Sequence, residues 1–188
     1  MEGWLVFKID LFSSKKALEG FILFQFAVVM ISILLFYKMA YTMTHVIEQN
    51  IILNIVYGII GFTLVYFLHE IIHNVMFRLL SKGNKPTYRF RLGMITTHMP
   101  NVYFKKWQYI TIMLAPLVII TSALFLLFSY YAYSSIIFIA CFHIGYCVMD
   151  MYFLTGVLNK NVQLIEDTDE GIVYYTQSPT HGFQTEIE

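Results

Sequence analysis

From Trp107 to Leu158 the only charged residue is Asp150, and from Gln49 to Met76 the only one is Glu70. A soluble domain of 188 residues has no interior large enough to hide apolar stretches of that length. They do match the roughly 20 residues that one bilayer crossing requires. The composition agrees: 58% of the chain is hydrophobic and 13% charged, against about a quarter charged in an ordinary soluble domain. The sequence therefore reads as an all-α polytopic membrane protein, residues 1–188 forming one membrane domain in the cell membrane.

Four spans are predicted, at about 20–41, 51–80, 107–131 and 134–158. Lys38 lies near the end of the first, where its stem can snorkel to the headgroups, and Pro116 lies within the third, where neighbouring helices can satisfy the carbonyl it frees. The first span is too long for a signal peptide and no small-x-small cleavage site follows it, so it is expected to stay as an anchor. Lys8, Lys15 and Lys16 precede it, and Lys82, Lys85, Arg89, Arg91, Lys105 and Lys106 fill the loop at 81–106. The segments at 43–50 and 132–133 have no Lys or Arg. By the positive-inside rule both termini, the loop and the tail at 159–188 face the cytoplasm.

That loop alternates apolar with basic residues through Tyr88, Arg89, Phe90, Arg91 and Leu92, as an interfacial strand does. Val102 to Phe104 could supply its partner after a turn containing Gly93 or Pro100, giving a small β-hairpin between helices two and three. The tail from Val162 to Tyr175, around the acidic group Glu166, Asp167, Asp169 and Glu170, reads as a second short hairpin or extended segment, with fraying after Gln177. The formal net charge is zero, and no basic surface of the kind that neutralises phosphates is present, which excludes nucleic-acid binding. Cys141 and Cys147 lie about 9 Å apart along one helix, beyond disulfide reach.

The second span contains His69-Glu70-Ile71-Ile72-His73, the H-E-x-x-H pattern. Residues four apart share a helical face, so both imidazoles can reach one metal ion, and the intervening carboxylate can take a proton from its bound water. An acid inside a membrane span is poorly tolerated without a partner. The bland alternative is a buried hydrogen bond or ion pair of Glu70 with another span, the two His lining a polar seam.

A catalytic zinc site needs a third protein ligand and one open position. Counted back from Lys82 and Lys160 at about 1.5 Å per residue, His73, His69 and Asp150 lie near 13, 20 and 15 Å, so Asp150 is level with the two His. Cys147, on the same face, is the second choice for third ligand. His143 lies about 10 Å farther outward than Asp150, a poor ligand but a candidate for holding a ligand in place or gating the site. His98 and Asn101 could reach in from the loop to steady a developing oxyanion. His45 and His181 carry no special expectation.

The motif at His69 to His73, Ala115-Pro116, the stretch from His143 to Asp150 followed by Tyr152, and Glu166-Asp167-Thr168 with Gly171 resemble the zincin peptidase family of small bacterial membrane metalloproteases, itself similar to the site-2 class of intramembrane metalloproteases. The resemblance implies Zn2+ on His69, His73 and Asp150, with Glu70 as the base. The expected function is a zinc metalloprotease that cuts a membrane or membrane-proximal protein. The competing class is a non-catalytic metal-binding or partner-binding membrane protein, such as an accessory or immunity factor. A transporter fits less well, because four spans show no repeat.

Overall fold

The computed structural model describes residues 5–91 and 94–176. Leu92 at the end of the expected strand, Gly93, His181 and the segment expected to fray after Gln177, with Gln177 itself, lie outside the described residues. Helices α1 (Lys15–Met43), α2 (Ile51–Leu80), α3 (Lys106–Tyr130) and α4 (Ser134–Leu154) coincide with the four apolar runs, and each of the four runs is long and apolar enough to cross a membrane. A single 3-10 turn, Thr155–Leu158, extends α4. Caps mark two of the starts: Ser14 Oγ accepts the Ala17 N–H and Asn50 Oδ1 the Ile52 N–H.

Short connections between α1 and α2 and between α3 and α4 make the bundle run up and down. They meet at one end, where Ile47 N–H donates to the Ala132 carbonyl at 2.7 Å and Ser134 N–H to the Ile47 carbonyl at 3.1 Å. Helix α4 packs against all three others. Gly145 makes its approach to α1 possible: a Cβ there would lie 2.3 Å from Val29 Cγ2, and the bare backbone instead accepts Gln25 Nε2 at 3.1 Å.

Among the described residues, the segments outside the bundle emerge at the other end and contribute their strands to one sheet. Strands β1 (Leu5–Ile9), β2 (Thr87–Arg91), β3 (Met94–Lys105), β4 (Leu164–Thr168) and β5 (Gly171–Tyr175) pair antiparallel in the order β1-β5-β4-β3-β2. The four helices and the hairpins expected in the loop (β2-β3) and in the tail (β4-β5) are present, and the all-α reading is corrected only in that these strands join with β1 into one five-stranded sheet. The physical reason is that the leader, the loop and the tail leave the bundle at the same end, so their unpaired backbones meet and satisfy one another.

The partner expected for the Tyr88 to Leu92 strand is corrected. Arg91 pairs with Met94 and Thr87 with His98, which uses the first half of β3. Val102 to Phe104 fall in the second half, where Tyr103 faces Glu166 and Phe104 faces Ile165 of β4. Between the halves the register shifts from Met99 to Tyr103. Asn101 sits in this bulge at φ 63°, its N–H donating to Glu166 Oε1 at 2.8 Å. Beneath the sheet, Phe77, Phe104, Tyr109, Ile165 and Tyr174 are fully buried and fasten it to the helix ends.

Candidate metal centre

The helical repeat places His69 and His73 one turn apart on the face of α2 that meets α4 and β3, and both are buried there. Their Nε2 atoms are 3.0 Å apart. Asp150 projects from α4 between them, Oδ2 at 3.3 Å from His69 Nε2 and Oδ1 at 3.5 Å from His73 Nε2. Ligands held tetrahedrally about 2.0–2.1 Å from a zinc ion stand about 3.3 Å from one another. The two imidazoles stand 3.0 Å apart and each has one carboxylate oxygen, a different one, at 3.3 or 3.5 Å, close to that value.

Hydrogen bonding within the protein leaves the cluster incomplete. Asp150 Oδ2 and His73 Nδ1 are buried without a hydrogen-bond partner, the 3.3 Å approach of Oδ2 to His69 Nε2 being poorly directed for a bond. A buried carboxylate oxygen without a donor is strongly unfavourable, and a cation between these three groups would compensate it. The donor set, two imidazoles and a carboxylate, is that of a catalytic zinc site with one position left for water.

Glu70 points past the cluster toward the sheet. Its Oε2 accepts the Thr97 N–H at 3.0 Å and the Thr97 hydroxyl at 2.9 Å, while Oε1 accepts the Tyr146 hydroxyl at 2.9 Å. Tyr146 also sets its ring edge-on to His69, centroids 4.7 Å apart. One helical turn before Glu70, the Tyr66 hydroxyl bonds both the N–H and the carbonyl of Ile95. Four helical residues rise about 6 Å and two strand residues about 6.7 Å, so Tyr66 and Glu70 fall in step with Ile95 and Thr97. The edge of β3 that faces α2 is therefore bonded to side chains and not to another strand.

The other residues singled out in the sequence fall into two groups. His143 and Cys147 join the centre on the far side of His69: His143 Nε2 is 3.4 Å and Cys147 Sγ 3.8 Å from its Nδ1. Cys147 thus faces the ring nitrogen turned away from His73, and the position level with both Nε2 atoms belongs to Asp150. His98 and Asn101 lie elsewhere. The His98 ring bonds Asp167 Oδ1 at 2.7 Å and Thr96 Oγ1 at 2.8 Å, and Asn101 is held by its backbone in the β3 bulge. Burial draws the His98 pKa down, but the touching Asp167 carboxylate outweighs it and holds the ring above the ordinary histidine value.

Thr97, Tyr146 and Tyr66 were not among the residues expected from sequence. Tyr146 precedes Asp150 by one helical turn and so carried a facial signal, whereas Thr97 is distinguished only by the docking of β3 on α2.

Residues 62–165 match the family model described as "Putative zincin peptidase". The chain belongs to this family. The zincin peptidase match begins in α2, ends in β4, and includes His69, Glu70, His73, Thr97, His143, Tyr146, Cys147 and Asp150. No curated protein and no solved structure matches the chain.

Proposed function

We propose that this chain is a membrane-embedded zinc peptidase that hydrolyses a peptide bond of a membrane or membrane-proximal protein, with His69, His73 and Asp150 holding the metal and Glu70 acting as general base. The observation that carries the reading is the convergence of three buried donors from two helices, one of them a carboxylate with an unpartnered oxygen, beside a second carboxylate that takes no part in the cluster. Zinc bound there supplies Lewis acidity, which makes water a stronger acid and a carbonyl a stronger electrophile.

The chain's own groups do the rest. Glu70 takes the proton of the attacking water and returns it to the leaving amine. Thr97 and Tyr146 hold the carboxylate, and Oε1, which accepts a single bond, keeps a lone pair for the proton.

A helical substrate hides its carbonyls, so the scissile segment must be extended. The inner edge of β3 favours this: Ile95 and Thr97 direct backbone groups toward α2, and a substrate strand that replaced Tyr66 there would lie alongside Glu70. The basic residues flanking the spans support a cytoplasmic orientation for this end of the bundle and its sheet.

Comparative proteomics of membranes from cells carrying the intact chain or Glu70→Gln tests the function. A protein that accumulates uncut only with the variant, while the variant keeps its zinc, supports the peptidase. Identical membrane proteomes from the two would instead leave a metal-binding protein without catalysis.

A further inference from the structure

His69 has two ring nitrogens, and metal-binding donors surround both. While Nε2 faces His73 and Asp150, Nδ1 lies 3.4 Å from His143 Nε2 and 3.8 Å from Cys147 Sγ, and those two atoms are 3.4 Å apart. His69, His143 and Cys147 form a second group able to reach a single ion, and all three are buried. An ion about 2.05 Å from nitrogen and 2.3 Å from sulfur spaces tetrahedral donors by about 3.3–3.6 Å, close to each of these edges. On the opposite side of His143, its Nδ1 approaches the Thr121 hydroxyl at 3.5 Å, an oxygen able to accept from Nδ1–H when the Nε2 lone pair looks into the group.

We propose that His69 Nδ1, His143 Nε2 and Cys147 Sγ form a second, softer metal site for a thiophilic divalent cation such as Cd2+, or Zn2+ in excess, and that this site and the His69-His73-Asp150 site exclude one another. The thiolate supplies the preference for soft cations, which a set of two imidazoles and a carboxylate lacks.

Exclusion follows from the imidazole. A neutral ring has one free lone pair: with Nε2 on the first metal, Nδ1 keeps its proton and donates it to His143. With Nδ1 on the second metal the proton sits on Nε2 and points at Asp150, so the first site loses a ligand. Filling the second site also releases the Cys147 thiol proton. Soft metal in excess therefore switches the first site off. The second site stands on its own donors, and only the exclusion rests on the proposed zinc ligands.

The experiment titrates Cd2+ into the full chain, purified in detergent with one zinc bound, and follows thiolate-to-cadmium absorption in the ultraviolet together with zinc released to a chromogenic chelator. One cadmium per chain is expected, with a thiolate band and release of the zinc in equal amount. Cys147→Ser should lose the band and Cys141→Ser keep it. Asp150→Asn should lose zinc yet retain the cadmium band, which separates this site from the first. The 113Cd NMR shift of the unsubstituted protein, which needs no variant, should report one sulfur donor with nitrogens. Cadmium bound without a thiolate signal, or a band that persists in Cys147→Ser, overturns the site. A thiolate band with the zinc retained overturns the exclusion. A chain that never takes up zinc but gives the cadmium band refutes the proposed zinc ligands and leaves the second site standing.

Discussion

Replacing Glu70 by Gln removes the proposed base and changes little else, and the surroundings of the carboxylate determine how little. Three donors reach it: the Thr97 N–H and hydroxyl on Oε2 and the Tyr146 hydroxyl on Oε1. The Gln amide can meet them by turning its oxygen to Thr97 and its NH2 to Tyr146, whose hydroxyl rotates from donor to acceptor. Every buried group stays paired, but bonds to a charged acceptor worth about 1.5–3 kcal/mol become neutral ones worth about 0.5–1.5 kcal/mol. Relief from burying a charge offsets part of that, leaving a net loss of about 1–2 kcal/mol and a Tm lower by about 2–4 °C for each of those kcal/mol.

Glu70→Ala is different, since it strands the buried Thr97 N–H and the half-buried Tyr146 hydroxyl, at about 1–3 kcal/mol apiece, and leaves the Thr97 hydroxyl only the Glu70 carbonyl at 3.5 Å. The assay compares thermal unfolding in detergent, zinc content and cleavage for the two variants. The Gln protein should be folded, zinc-loaded and slower by roughly 10² or more in turnover, and the Ala protein markedly less stable. Unchanged cleavage by Glu70→Gln would remove the base from the mechanism. Equal destabilisation by both substitutions would show that the carboxylate charge, and not the pairing of its donors, maintains the site.

Four further outcomes are expected. Elemental analysis should find about one zinc per chain, lost in Asp150→Ala, whereas His143→Ala should weaken binding by no more than about 10–100-fold, as removal of a hydrogen-bonded neighbour of a ligand does. His98 should titrate above the ordinary histidine value of about 6.5 by NMR, and Asp167→Asn should lower its midpoint; because the folded pKa is the raised one, the stabilisation is full below about pH 6.5 and fades as pH rises through the folded midpoint. Gly156→Ala should destabilise the sheet end by about 1–3 kcal/mol, read as a lower Tm, since the added Cβ would lie 2.3 Å from Tyr174 Cζ. A cysteine at Gln49 should react with an impermeant reagent added outside cells and one at Gly83 should not, as cytoplasmic termini require.

The four helices, and the pairing of His69 with His73 on one face, were legible in the sequence because both depend on local repeats: the length of apolar runs and the 3.6-residue turn. Counting turns from the flanking lysines likewise put Asp150 level with the two His, as far as a depth along parallel helices can be read from one dimension. The sheet was only half legible. Alternation marked Tyr88 to Leu92 as strand, but β1 has five residues and no comparable signal, and its pairing of Lys8 with Val173 joins segments that nothing local connects.

Rotation of α4 about its axis was not legible either. It alone decided that Asp150 meets the two Nε2 atoms while His143 and Cys147 meet Nδ1 of the same ring, and that Tyr146 reaches Glu70. Thr97 depended on something further, the docking of β3 along α2 with its backbone toward Tyr66 and Glu70. Periodicity along a chain fixes which residues share a face; which face meets which neighbour is set by packing between segments far apart in sequence, and at this centre it determines which nitrogen of His69 each donor can reach.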